Sequence, residues 1–184
     1  IASVFGLLIF WLTQHDLTGA TFNNTFVMDS FAWFFKGFFL LAMFFVLVMT
    51  QQYFKSIALR INAFYFLLWL AAIGMCLIAS STDFLVLFIS MEIMTLSFYV
   101  MTAYLKTDKL SIEAGMKYLI LGALSSGLFL YGISLLYGTA HSTHFDTIQA
   151  YANTHGMSPM VLFSLVLIFA TVAFKIAAVP FHMW

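Results

Sequence analysis

Four charged side chains interrupt the long apolar stretches of this sequence: Lys36, Glu92, Lys117 and Lys175. A charge placed in hydrocarbon costs about 2.5 to 3.5 kcal/mol on insertion scales, so each one needs a partner or a function. Carboxylates and amines gain and lose protons, and they form ion pairs in a medium of low dielectric constant. These residue types therefore indicate movement of protons or ions across a membrane.

Glu92 is the most informative of these groups. It follows Asp83 by nine residues, or roughly 13 Å of helix, which is near the middle of a bilayer. Helical spacing places Phe88, Thr95 and Tyr99 on the same stripe. The position favours an ion-path residue, and the alternative is a protonated structural glutamic acid in an interhelical hydrogen bond.

Lys175 follows a long apolar segment, with Thr171 and Ser164 on the same helical face and Pro180 five residues later. Proline lacks an amide proton and clashes with the preceding turn, so a kink or break is expected just after the lysine. Broken helices at membrane depth line polar cavities and build ion sites in transporters. A functional role is predicted, against a lysine that merely reaches an interface.

Three other groups permit two interpretations each. Lys117 follows Glu113 by four residues, so it is either a buried functional lysine or half of a surface ion pair at the inner rim. His182 is either a proton relay, because imidazole titrates near neutral pH, or a satisfied interior histidine. Lys36 lies near the outer end of its segment and is expected to snorkel to the headgroups.

The composition indicates an all-α membrane protein, because 64% of the residues are hydrophobic, 8% are charged and the mean hydropathy is +1.04. We expect a polytopic helical bundle of the antiporter-like type, with a broken helix near Lys175 to Pro180. The opening apolar run lacks Met and a basic flank, so it looks cut rather than initiated. One transmembrane domain is predicted over 1–184, with helices at approximately 1–12, 30–50, 62–80, 84–105, 111–137 and 159–184.

The connecting segments alternate in charge. Segments 51–61 and 106–113 contain lysine or arginine, whereas segments 13–29, 81–83 and 138–158 contain neither. Positive residues favour the cytoplasmic side of short loops. The basic segments are therefore predicted to face the cytoplasm or matrix, and the other three to face outward.

Several classes of site are excluded by what the sequence lacks. A net charge of zero gives no basic patch for nucleic acid. Cys76 is the single cysteine, so an internal disulfide and a thiolate cage for zinc or iron–sulfur are not expected. The segment 138–158 is interpreted as a solvated loop, without a metal site, although it carries metal-ligand types: His141, His144, Asp146 and His155. Any redox cofactor must then lie on another chain.

Three stretches resemble a known family, the antiporter-like subunit N of respiratory complex I, the proton-pumping NADH:quinone oxidoreductase. They are 88–99 (FISMEIMTLSFY), 111–138 (SIEAGMKYLILGALSSGLFLYGISLLYG) and 173–184 (AFKIAAVPFHMW). The resemblance implies a subunit of about fourteen helices, of which this chain looks like the second to the seventh. The family's functional glutamate matches Glu92, its two lysines match Lys117 and Lys175, and His182 matches a histidine of less settled role.

The resemblance also implies an enzyme in which this chain translocates protons and carries no cofactor. NADH, flavin, iron–sulfur clusters and quinone would be handled by partner subunits. The expected partners are the other membrane-arm subunits, the lipid bilayer and protons. The expected location is the bacterial inner membrane, with the mitochondrial inner membrane as the alternative.

Two other functions remain open. A cation/proton antiporter subunit of the Mrp type is similar in helix order and in its Glu and Lys pair, and it would use neither NADH nor quinone. A structural or assembly scaffold would tolerate the loss of its buried ionisable groups. Co-purification with a flavin and iron–sulfur arm separates the first alternative from a complex I subunit.

Overall fold

The structure is a computed structural model that describes residues 2–13, 19–55 and 61–179. Within these residues the architecture is a helical bundle with one small antiparallel hairpin, in which Gly19 pairs with Met28. The elements are α1 (Ala2–Thr13), β1 (Gly19–Thr21), β2 (Phe26–Met28), α2 (Ser30–Lys55), α3 (Ile61–Ile78), α4 (Phe84–Thr102), α5 (Lys109–Ala140), α6 (Phe145–His155) and α7 (Pro159–Lys175).

Short polar side chains cap the first turns of α4, α5 and α7. Asp83 accepts hydrogen bonds from the first amides of α4, and Asp108 does the same for α5. Ser158 caps α7, where Pro159 follows as the first helical residue. These residues satisfy amide groups that have no partner within the helix, which fixes where each helix begins.

The helices are apolar enough for a bilayer. Within the part of the chain that the structure describes, three of them have the length and composition to cross a membrane, at Ser30–Phe54, Phe84–Thr102 and Lys109–Ala140. Shorter apolar helices occupy Val4–Thr13, Asn62–Ile78 and Pro159–Lys175. Large apolar side chains such as Phe66 and Phe169 are exposed on the bundle surface. An apolar exterior of this kind is expected where lipid replaces water, and the prediction of an all-α membrane bundle is confirmed.

The helices divide into two packed groups. Met91, Phe129 and Ile168 belong to a core between α4, α5 and α7, while Met43 and Leu68 belong to a second core between α1, α2 and α3. Contact between α3 and α4 joins the groups. A Cβ placed on Gly74 of α3 would lie 2.8 Å from the Met94 amide nitrogen of α4. Glycine at this position therefore permits the close approach of the two helices.

The segments predicted to face outward meet at one end of the bundle. The Val27 amide donates to the Ser80 carbonyl at 2.8 Å, which joins the hairpin to the end of α3. The Phe84 amide donates to the Thr143 carbonyl at 2.9 Å, and the Phe145 amide to the Thr82 carbonyl at 3.1 Å. At the opposite end, aromatic rings of Phe54, Phe64 and Tyr104 pack together.

The structure differs from the sequence prediction at three elements. The sequence predicted a helix over 159–184, but α7 ends at Lys175, because Ala177 takes a left-handed conformation with φ of 52°. The helix thus ends where the break near Lys175 was predicted, while Pro180 lies outside the described residues. The hairpin and α6 were not predicted, because both fall in segments interpreted as loops.

Candidate proton-transfer site

Glu92 of α4 and Lys175 of α7 are in contact. The Lys175 Nζ lies 3.4 Å from the Glu92 Oε1, although the two residues are 83 positions apart in the chain. The Lys175 side chain is 12% exposed, and the Glu92 side chain is 25% exposed. Both charged groups are thus largely withdrawn from the bundle surface.

Ser126 of α5 completes the site. Its hydroxyl donates to the same Glu92 Oε1 at 2.5 Å. One carboxylate oxygen therefore accepts from two helices at once, and the three helices α4, α5 and α7 converge on it. The Ser126 hydroxyl and the Lys175 ammonium both stabilise the ionised form of the Glu92 carboxylate.

Close packing of α5 against α7 places Lys175. The Thr171 hydroxyl, one turn before the lysine, donates to the Ser125 carbonyl of α5 at 2.9 Å. A Cβ on Gly132 would lie 2.9 Å from the Ser164 carbonyl oxygen. Only a glycine lets the two backbones come this close, and the approach fixes the height of Lys175 relative to Ser126.

Thr95 and Tyr99 of the predicted stripe on α4 are buried, but their hydroxyls do not donate to the Glu92 carboxylate. Thr95 donates to the Met91 carbonyl of its own helix at 2.9 Å. The Tyr99 ring packs edge-to-face on Tyr118 of α5 with centroids 4.6 Å apart. The Tyr99 hydroxyl sits where a Cβ on Gly122 would be. Tyr99 therefore serves the contact between α4 and α5, whereas the Thr95 hydroxyl is used within α4.

Lys117 lies in a different setting. Its Nζ contacts the Glu113 Oε1 at 2.6 Å, and the two side chains are 66% and 57% exposed respectively. The pair stands one turn apart on the first part of α5, as the rim-pair interpretation expects. Among the described residues, the partner of Lys117 is Glu113 rather than Glu92. His182 lies outside the described residues.

The end of the bundle that carries the hairpin holds a second, smaller polar cluster around Asp83. One oxygen of this carboxylate caps α4, and the other accepts from the Thr143 hydroxyl at 2.5 Å. The His144 Nδ1 lies 3.7 Å from that second oxygen. Asp146 and His155, expected in a loop, lie on α6 instead. Within the described ranges, no three His, Cys, Asp or Glu side chains are grouped to hold a metal ion.

The sequence reasoning did not predict that Ser126 belongs to the site. Ser126 and its neighbours were interpreted as small residues for helix packing, and this interpretation holds for Gly122. A serine that faces a buried carboxylate differs from a packing serine only in its orientation. The available signal was the presence of Glu92 at bilayer depth, which needs a hydrogen-bond donor on a neighbouring helix.

Residues 81–184 match the transmembrane family described as NADH:quinone oxidoreductase/Mrp antiporter. This match covers more than half of the chain and includes Glu92, Lys117, Ser126 and Lys175. The chain belongs to this family. The match ends at Trp184 and therefore extends through the break after α7.

The sequence of this family member is also similar to curated bacterial proteins. It is 43% identical over 174 residues to NADH-quinone oxidoreductase subunit N 1 of Rhizobium meliloti, covering 95% of this chain and 36% of that protein. It is 38% identical over 183 residues to subunit N of Moorella thermoacetica, covering 100% of this chain and 38% of that protein. The chain therefore spans little more than a third of the length of these relatives.

Two solved respiratory complexes contain a chain of the same fold. A chain in respiratory complex I from Thermus thermophilus with bound aureothin superimposes with a TM-score of 0.79 at 27% identity, covering 98% of this chain and 38% of that one. A chain in an archaeal membrane-bound sulfane sulfur reductase gives a TM-score of 0.77 at 25% identity, covering 97% and 38%. The antiporter-family chain is thus a polytopic protein of the bacterial inner membrane.

Proposed function

We propose that this chain is part of a membrane-arm subunit of an NADH:quinone oxidoreductase, and that it moves protons across the membrane. The contact between Glu92, Lys175 and Ser126 carries the proposal, because it places an acid and a base between three helices of the matched transmembrane region. The names of the similar bacterial proteins support the assignment to subunit N. Electron transfer, with NADH, flavin, iron–sulfur clusters and quinone, would take place on partner subunits.

The proton-handling step is a change in the Glu92–Lys175 contact. Burial disfavours the charged lysine, whereas the adjacent carboxylate favours it, so the two effects oppose each other. Two unit charges about 4 Å apart attract by roughly 4 kcal/mol at an effective dielectric constant near 20. Movement of the pair apart by a few ångströms removes much of this attraction, and Lys175 then releases its proton.

Ser126 allows the Glu92–Lys175 pair to separate and to form again. When Lys175 withdraws, the Ser126 hydroxyl still donates to the Glu92 Oε1. The carboxylate therefore keeps one hydrogen bond and does not need to take up a proton at once. We propose Glu92 as the fixed acid and Lys175 as the group whose protonation changes.

Lys117 and His182 have supporting roles in this proposal. Lys117 lies near the predicted inner end, exposed and paired with Glu113, so it would exchange protons with the aqueous side rather than with Glu92. His182 is proposed as a relay on the far side of the break, on the strength of the family resemblance. The lysine head lies at the end of α7, where the family resemblance implies a broken helix that lines a polar cavity.

The test is proton uptake driven by NADH in vesicles that carry the assembled complex. Glu92→Gln and Lys175→Met should each suppress uptake and the coupled electron transfer. The double variant should lose less than the sum of the two, because both changes break one unit. Full uptake with intact assembly in either single variant would rule out this relay.

A Mrp-type cation/proton antiporter subunit is the second candidate, because the matched family description names both classes. It would use the same acid and base, but no redox arm would supply the driving force. Purification of the complex decides between the two. A flavin and iron–sulfur arm that co-purifies supports the oxidoreductase, and its absence with retained antiport activity supports the Mrp type.

A further inference from the structure

A cavity of about 430 Å³ lies between α1, α2, α3 and the hairpin, far from the Glu92 site. Its walls are largely apolar and include Leu7, Leu40, Trp69 and Ile73. Known ligand pockets are clefts of roughly 300 to 1,000 Å³ with apolar walls and a few placed polar groups. The cavity has the size and the lining of a ligand site.

The polar groups of this cavity are concentrated beside the hairpin. The Lys36 ammonium lies 3.2 Å from the Met28 Sδ, a weak acceptor. Asp29, which begins the same end of α2, uses its carboxylate to cap that helix through the Ala32 amide. Among the described residues, no carboxylate lies within ion-pairing distance of Lys36. The Lys36 side chain extends towards the hairpin end of α2, as the prediction of snorkelling expects. Its ammonium, however, borders this cavity.

Ser80 supplies an independent observation. Its side chain is 6% exposed, lines the same cavity, and its Oγ has no hydrogen-bond partner among the described residues. A buried hydroxyl without a partner costs about 1 to 3 kcal/mol, so such groups usually have an acceptor or a water. A hydroxyl and an ammonium in one apolar cavity together provide donors for an anion.

The shape of the cavity identifies the class of anion. From Leu77 near the hairpin to Trp69, the wall follows α3 for about 12 Å at 1.5 Å per residue. The donors Lys36 and Ser80 line the cavity beside the hairpin, and Trp69 and Leu40 line an apolar part of it. A small soluble anion would leave that apolar part empty. A charged headgroup with a hydrocarbon chain fills both parts.

We propose that this cavity binds an anionic phospholipid from the outer leaflet of the bilayer. The phosphate accepts hydrogen bonds from the Lys36 ammonium and the Ser80 hydroxyl, under the hairpin. One acyl chain lies between α1, α2 and α3 along the wall formed by Trp69 and Leu40. The lipid thereby fills the gap between the hairpin and helices α1, α2 and α3.

Cys76 provides a built-in reporter, because it lines the cavity and is the single cysteine of this sequence. The experiment uses the full-length subunit in its assembled complex, stripped of lipid in detergent. Alkylation of Cys76 by N-ethylmaleimide is followed on the peptide that contains it. Added phosphatidylglycerol should protect Cys76, and phosphatidylcholine, which has no net charge, should protect it less.

Substitutions at Lys36 and at Ile73 test separately the charge and the shape of the cavity. Lys36→Met should raise the phosphatidylglycerol concentration for half-protection about five-fold, the contribution of one lysine to an anionic lipid surface. Lys36→Arg should restore protection, and Lys109→Met, an exposed lysine on α5, should leave it unchanged. Ile73→Trp should fill the cavity and protect Cys76 without lipid.

Two results would overturn the proposal. Equal protection by both lipids, unchanged in Lys36→Met, would mean that the lysine does not recognise a charged headgroup. Complete protection of Cys76 in the lipid-free complex would mean that a segment of the protein fills the cavity instead. Recovery of each variant in the assembled complex shows that a change in alkylation is not a loss of folding.

Discussion

Two Glu–Lys pairs of the same composition occupy different parts of this molecule. The pair between Glu113 and Lys117 is the shorter, at 2.6 Å, and lies on the exposed surface of one helix. The pair between Glu92 and Lys175 is longer, at 3.4 Å, and lies between two helices with a serine at the same oxygen. The distance between the charged atoms therefore does not distinguish the exposed pair from the pair that lies between helices.

The surroundings of each pair determine what it can do. Exposed pairs are screened by water and salt and contribute little. A pair withdrawn from water has a large desolvation cost and a large mutual attraction, so small movements change its protonation. The same two residue types therefore form an exposed surface contact in one place and, in the other, a largely buried pair that we propose handles protons.

The largest contrast is expected when the carboxylate of each pair is removed. Glu92→Ala leaves the Lys175 ammonium between helices without a counter-charge, which should cost about 3 kcal/mol in the free energy of unfolding. Glu113→Ala should produce no measurable change. Denaturation of the full-length subunit in mixed micelles measures both. Equal losses in the two variants would remove the distinction between the pairs.

A smaller effect is expected from the helix contact that places Lys175. Gly132→Ala puts a Cβ 2.9 Å from the Ser164 carbonyl oxygen, so α5 and α7 must separate. Overpacking of this kind should cost about 2 kcal/mol in the same denaturation measurement, and it should lower proton uptake. Gly127→Ala on the same helix is the control, since no neighbouring atom lies within 4 Å of its added Cβ. Separation of the helices is excluded as the cause if both variants behave alike.

Substitution of two adjacent serines of α5 tests which hydroxyl supports the buried pair. Ser126→Ala removes the donor to the Glu92 Oε1, and a hydrogen bond to a charged group contributes about 1.5 kcal/mol, or roughly ten-fold in an equilibrium. Proton uptake should fall by up to that factor. Ser125→Ala should have little effect, because the Ser125 Oγ is buried and has no partner within the described residues. A larger loss in Ser125→Ala would contradict the assigned role of Ser126.

The smallest effect is expected from the cysteine substitutions that test the predicted topology, which should leave proton uptake unchanged. In a Cys76→Ala background, a membrane-impermeant thiol reagent should label Ser142→Cys from outside and Thr107→Cys only after permeabilisation. Sealed vesicles of known orientation provide the measurement. The reverse labelling pattern would place Lys117 and Glu113 on the outer side and would contradict the predicted topology.

The sequence by itself determined that this protein is a helical membrane protein, and it predicted how deep its charged residues lie. Apolar composition and run length indicate a helical membrane bundle, because a backbone in hydrocarbon must satisfy its hydrogen bonds within a helix. The nine residues from Asp83 predict a position for Glu92 near the bilayer centre, and Pro180 predicts a break close to Lys175, where α7 ends. These features are local, so they can be read from spacing along one helix.

Only the tertiary structure decided which groups meet. Spacing cannot show that Lys175 contacts Glu92 83 residues away, because the contact depends on how closely α5 lets α7 approach at Gly132. It cannot show that Ser126 faces the carboxylate while Ser125 does not, since both are small residues suited to helix packing. The hairpin and α6 were also missed, because short polar elements carry little hydrophobic periodicity and are held by hydrogen bonds to other segments.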